Sequence, residues 1–70
     1  MTYKLIKQIN SDRYLLTHDQ TVTVQRIDRD WESFTKWQAT TIDGPYLIKQ
    51  WAPTKDQAVK QVIDYLNRFN

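Results

Sequence analysis

The sequence predicts an α+β fold: a twisted antiparallel sheet of four to five strands, joined as a meander of hairpins, with one C-terminal amphipathic helix packed on one face. Three observations predict this class. Residues 54–69 repeat apolar side chains with a helical period, residues 34–52 have the pattern of a hairpin, and the upstream residues alternate strand-forming segments with turn residues. We therefore expect residues 1–70 to form a single small α+β domain.

The C-terminal helix is predicted by a start signal and an apolar face. Thr54 and Gln57 have the spacing of a capping box, and Pro53 prevents helix from continuing upstream. At 100° per residue, one sector of roughly 160° collects the apolar side chains. These are Ala58, Val59, Val62, Ile63, Tyr65, Leu66 and Phe69. Because a helix of this length is marginal alone in water, its apolar face must pack on a sheet.

The upstream half predicts three strands and two turns. The strands are residues 3–9, 13–17 and 21–27, separated by turn chemistry at 10–12 and 18–20. In the first strand, Tyr3, Leu5 and Ile9 are predicted to share one face. A three-residue turn at 18–20 puts four apolar side chains on one face, whereas a two-residue turn scatters them. These side chains are Tyr14, Leu16, Val22 and Val24.

The hairpin before the helix presents a conflict at its turn. Asp43-Gly44 favours a two-residue type I′ turn, but Pro45 lacks the N–H that such a turn requires. We therefore predict a four-residue loop, Ile42–Pro45, with Thr41 opposite Tyr46. The core face then carries Trp37, Ala39, Tyr46 and Ile48. The opposite face carries Lys36, Gln38, Thr40, Leu47, Lys49 and Trp51.

Composition excludes several function classes. The chain has no cysteine, one glycine, a formal net charge of +2 and no apolar run long enough for a membrane span. The only histidine, His18, lies in a predicted turn, and neither serine, Ser11 or Ser33, is placed to complete a catalytic triad with it. We predict a cytoplasmic, non-enzymatic protein with no cofactor, no metal site and no membrane partner.

Two binding functions remain. The first is nucleic-acid binding through a basic and aromatic sheet face, which combines phosphate contacts with a stacking platform. Its predicted residues are Lys36, Lys49, Trp51, Arg13 and Arg26. The alternative for this face is that its cations only aid solubility and that Trp51 is buried under the start of the helix.

The second function is protein binding or self-association. An unpaired edge strand or the charged loop 28–33 around Trp31 would dock on a partner or on a second copy. A regulatory or phage-type inhibitor that acts by covering a surface belongs to this class. Trp31 is either such an exposed anchor or a lid over one end of the core.

The second half of the chain resembles one known family. The spacing of Lys36-Trp37, Asp43-Gly44, Trp51, Thr54 and Ala58 is similar to that of the arm-type DNA-binding domains of phage integrases. The resemblance implies a three-stranded sheet laid on DNA with a C-terminal helix behind it. It covers about half of the chain. Two strands are additional to that pattern, and residues 46–48 are apolar where such domains are usually basic.

Overall fold

The computed structural model describes residues 2–27 and 37–69. These residues form one antiparallel sheet in the order β1-β2-β3-β4-β5 and one α-helix, α1, which packs on one face of the sheet. The elements are β1 Leu5–Gln8, β2 Arg13–Leu16, β3 Thr21–Arg26, β4 Trp37–Asp43, β5 Tyr46–Ala52 and α1 Lys55–Phe69. The predicted α+β class and meander topology are confirmed.

The core lies between α1 and the sheet. Four side chains of α1 are at most 3% exposed and pack mainly above β4 and β5; they are Ala58, Val59, Val62 and Leu66. The Gln57 N–H donates to Thr54 Oγ1 over 3.2 Å, which confirms Thr54 as the N-cap. Tyr65 is 37% exposed, so the buried stripe of α1 is narrower than the sequence predicts.

In the described part of the chain, no helix has the length and apolar character needed to cross a bilayer.

The turn between β2 and β3 is a short 3₁₀ segment at Thr17–Asp19, one residue earlier than predicted. Tyr14 consequently pairs with Val22, which shifts the register by two residues. A shift of two preserves the alternation of side chains. The predicted apolar face is therefore confirmed, and all four of its side chains are buried. The turn requires left-handed backbone at His18 and Asp19, with φ of 65° and 57°.

The first strand is shorter than predicted and does not form core. Tyr3 is buried, whereas Leu5 and Ile9, which are predicted to share its face, are 50% and 46% exposed. The pairing with β2 slips between Leu5 and Lys7, which breaks the simple alternation. The physical reason is coverage, because the packing of α1 on the sheet is concentrated on β3, β4 and β5.

The N-terminal segment is held instead by the end of α1. The Tyr3 N–H donates to Asn67 Oδ1 over 2.6 Å, and Asn67 Nδ2 donates to the Tyr3 carbonyl over 3.1 Å. The ring of Tyr3 also meets His18 edge-on, with centroids 5.3 Å apart. Because α1 starts after β5 and ends beside the residues that precede β1, it crosses the sheet diagonally.

The hairpin between β4 and β5 has a two-residue turn, so the predicted four-residue loop is wrong. Asp43 pairs with Tyr46, and Gly44 and Pro45 form the turn, with φ of 61° at Gly44. A positive φ at the first central residue and the negative φ of proline at the second match a type II′ turn. Pro45 sits where the turn needs no N–H donor, which removes the conflict expected at this site.

The new register differs by two residues from the predicted one, so the two faces of the hairpin are as predicted. Ala39 and Ile48 are buried beneath α1, and Trp37 packs against the same core. Tyr46 lies on this side as well but is 70% exposed. The diagonal course of α1 leaves that corner of the sheet uncovered.

Gly44→Ala should destabilise the protein by about 1–2 kcal/mol, because an L-residue is strained at positive φ. A Cβ built at position 44 meets no atom within 4 Å, so the cost reports backbone strain and not a steric clash. Urea unfolding measures the change. The D-alanine variant at position 44, accessible by chemical synthesis, carries the same Cβ with the opposite chirality and should keep wild-type stability. Equal losses for the two alanines would contradict the turn geometry.

The stability of the protein should fall in alkaline solution through Tyr14. Burial raises the pKa of the Tyr14 phenol above its ordinary value of 10.0, and the Asp56 carboxylate raises it further. The unfolded chain therefore loses this proton at lower pH than the folded protein. The stabilisation is complete below about pH 10 and is lost as the pH rises through the folded-state pKa.

Urea unfolding across this range should show a shallower fall for Tyr14→Phe than for the wild-type protein. Tyr46→Phe removes a hydroxyl from an exposed ring and serves as the matched control, with the wild-type slope expected. The assignment to Tyr14 fails if the Tyr14→Phe variant loses stability as steeply as the wild type.

Candidate nucleic-acid interface

The sheet face opposite α1, here called the outer face, segregates charge. Strand alternation and the observed pairings assign twelve described strand residues to it. They are Lys7, Arg13, Leu15, Thr21, Thr23, Gln25, Gln38, Thr40, Ile42, Leu47, Lys49 and Trp51. Three of these residues are cations and none is acidic. The outer face is thus a positively charged surface with polar and apolar residues between the charges.

Two cross-strand rows organise this face. In the basic row, Arg13 pairs with Thr23, Thr23 with Thr40, and Thr40 with Lys49. Three strand spacings put the Cα atoms of its two cations, Arg13 and Lys49, about 14 Å apart. In the neighbouring Gln–Trp row, Gln25 pairs with Gln38, and Gln38 pairs with Trp51.

Trp51 lies on the outer face and not in the core. Its side chain is 46% exposed, and it follows Lys49 by two residues on the same face of β5. Their Cα atoms are therefore about 7 Å apart. The alternative that Trp51 is buried beneath the start of α1 is wrong, since α1 covers the opposite face. An exposed indole beside a cation is the pairing that the nucleic-acid hypothesis requires.

Arg26 is not part of this surface, which corrects its predicted place. It follows Val22 and Val24 in strand alternation and faces the α1 side, where its Cζ lies 6.0 Å from the Trp37 ring centroid. Lys55 Nζ lies 5.1 Å from the same centroid and also donates to the Ser11 carbonyl over 3.2 Å. These two cations help to cap the core through Trp37.

Lys7 is an outer-face cation that the sequence pattern does not reveal. Regular alternation from Tyr3 places Lys7 on the core side. The register slip after Leu5 instead pairs Lys7 with Leu15, on the outer face. No residue type in β1 signals this irregularity.

Lys36, predicted for the nucleic-acid-binding face, and Trp31, predicted for protein binding, lie outside the described residues.

A shallow concavity lies at the Thr21 end of the outer face. Its volume is about 270 Å³, and Asp19, Thr21, Ile42 and Leu47 are among its lining residues. This is below the usual size of small-molecule pockets, roughly 300–1,000 Å³. The concavity is therefore a shallow depression in the outer face and not an enclosed ligand site.

A hydrogen-bond network holds the rim of this concavity. The hydroxyl of Thr41, 2% exposed, donates to the Thr21 carbonyl over 2.6 Å. Gln20 Nε2 donates to that hydroxyl over 2.6 Å and to the Ile42 carbonyl over 2.5 Å. Because these bonds join the β2–β3 turn to β4, this end of the outer face is held in a fixed shape.

His18 is exposed in its turn, as its position in the sequence predicts. Within residues 2–27 and 37–69, no cluster of three or more His, Cys, Asp or Glu side chains could hold a metal ion.

Comparison of the chain with protein-family models, curated proteins and solved structures gives no significant match. The resemblance to integrase arm-type domains consequently rests on residue spacing alone, and the five-stranded sheet departs from their three-stranded pattern.

Proposed function

We propose that the protein is a non-enzymatic module that binds nucleic acid through its outer face. The observation that carries this proposal is charge segregation. On the described strands, every charged side chain of the outer face is a cation, namely Lys7, Arg13 and Lys49. Phosphate neutralisation by such cations releases condensed counterions and supplies most of the non-specific affinity for nucleic acid.

The neutral residues of the face suit the same ligand. Thr23 and Thr40 carry hydroxyl groups between the two cations of the basic row, and hydroxyls commonly bind phosphate and sugar oxygens. Gln25 and Gln38 add amide donors and acceptors that can reach base edges. Trp51 offers a ring on which a base can stack. Charge, hydrogen bonding and stacking are therefore available on one surface.

Protein binding through β5 is the second candidate function, and a separate observation favours it. β5 is an edge strand of seven residues that contains no proline. Tyr46 and Leu47 on this strand are 70% and 57% exposed. A long, apolar edge can add a strand from a partner protein or from a second copy. Binding of that kind depends weakly on salt, which separates it from the first proposal.

The affinity for nucleic acid should fall steeply as salt is added. With three phosphate contacts, the slope of log K against log salt concentration is expected to be about −2 to −3. Lys49→Ala should weaken binding and flatten this slope by about 0.7–0.9, because one contact is lost. Fluorescence anisotropy with labelled oligonucleotides, measured over a salt series, gives both quantities.

Lys60→Ala is the matched control, because Lys60 is an exposed lysine on α1, away from the outer face. It should leave the slope unchanged. The proposal fails if no nucleic acid binds at low salt, or if Lys60→Ala and Lys49→Ala reduce the slope equally. A salt-independent complex with a protein partner, lost on substitution in β5, would favour the second candidate.

A further inference from the structure

We infer that the outer face selects single-stranded over double-stranded nucleic acid. This inference rests on the proposed function and names its substrate class. Two features of the face carry it, the width over which its cations are spread and the exposure of its aromatic residue beside a cation. Each feature excludes a different way of docking on a duplex.

The basic row is too wide for the groove of a duplex. The Cα atoms of its two cations are about 14 Å apart on β2 and β5, and Lys7 on β1 extends the charged surface by a further strand. The major groove of B-DNA is about 12 Å wide and admits a helix or a two-stranded ribbon. A face whose cations lie on β1, β2 and β5, and so span all five strands, cannot enter it. Its central threonines therefore cannot reach paired bases while both ends contact phosphate.

Trp51 requires a base whose face is accessible. Inside a duplex, each base is covered above and below by its neighbours and presents only its edges in the grooves. Single strands can splay their bases onto an aromatic side chain, and such stacking tolerates any base. The 46% exposed side chain of Trp51, two residues from Lys49, is placed for one base beside one phosphate contact.

The two sides of the basic row differ in their residues, and this difference sets the direction in which the bases of a bound nucleic-acid strand point. On one side lies the Gln–Trp row, which offers amides and an indole. On the other side, the carboxylate of Asp19 lines the concavity and repels phosphate. A single strand that follows the basic row therefore directs its bases toward Trp51. Thr23 and Thr40 have short side chains, which leave room for the sugar-phosphate chain between Arg13 and Lys49.

The test compares labelled oligothymidine with a duplex of the same length at low salt, using fluorescence anisotropy on the full-length protein. The single strand should bind at least about 10-fold more tightly. Trp51→Ala should weaken its binding by about 5- to 150-fold, the range of one lost stacking contact, and should change duplex binding less than about 2-fold. Trp51→Tyr should restore most of the affinity, because a tyrosine ring also stacks on a base.

Tyr46→Ala is the matched control: it removes an exposed aromatic residue from the same strand but from the opposite sheet face. It should leave both affinities unchanged, and circular dichroism verifies that each variant is folded. Equal or tighter duplex binding would overturn the single-strand inference and leave the proposed function standing. Equal losses for Tyr46→Ala and Trp51→Ala would also overturn it. Absence of binding to both probes would overturn the proposed function and this inference with it.

Discussion

The position of each charged strand residue in this protein depends on the two-residue repeat of its β-strands, because that repeat decides which side chains α1 covers. The repeat is maintained through the β2–β3 turn and the β4–β5 turn, each of which sets a register. A slip of one residue at either turn would move the side chains of one strand to the opposite face of the sheet relative to its partner. Apolar burial penalises such a slip strongly, since it would expose Val22, Ile48 and their neighbours while burying Lys49.

Burial against α1 stabilises the correct register, and the charged surface follows from it. The helix contributes small and medium side chains that lie flat on the sheet, from Ala58 to Leu66. Its two ends are tied to distant parts of the chain, at Ser11 through Lys55 and at Tyr3 through Asn67. Cations at the edge of this covered face, such as Arg26, lie within cation–π distance of the Trp37 ring. The cations that remain on the other face have neutral strand neighbours, which is the basis of the proposed binding surface.

The elements that could be predicted from the sequence are those with a regular period and a local start signal. The helix from its Thr54 cap, the apolar face of β2 and β3 and the position of Trp51 on the same face as Lys49 all follow from periodicity, whereas the exposure of Trp51 is known only from the structure. The pattern places both turns wrongly. Each register error is two residues, however, so the assignment of side chains to the two faces of the sheet is unchanged. The four-residue loop is predicted because Pro45 conflicts with a type I′ turn centred on Asp43-Gly44. A type II′ turn centred on Gly44-Pro45 has no such conflict, and the pattern does not single it out.

What the sequence could not predict depends on tertiary geometry. The diagonal course of α1 decides that β1 lies outside the core, and nothing in residues 5–9 carries that information. The register slip after Leu5 moves Lys7 to the outer face. Arg26 is a different case, because strand alternation from Val22 and Val24 already places it on the α1 side and contradicts its predicted place on the outer face. The network between Gln20, Thr41 and Thr21 joins residues about twenty positions apart, so no local pattern could reveal it.

The pairing of β4 with β5 tests the central claim most directly, since it places Lys49 and Trp51 on the face that α1 leaves open. The pair beside a two-residue turn is hydrogen-bonded, so the closely spaced pairs alternate with it and include Thr40 with Lys49 and Gln38 with Trp51. Nuclear Overhauser spectra of the free protein should show strong contacts between the Hα protons of both pairs. Strong Hα contacts from Thr40 to Ile48 or Gln50 would instead mean a one-residue slip and would contradict the assignment of the outer face.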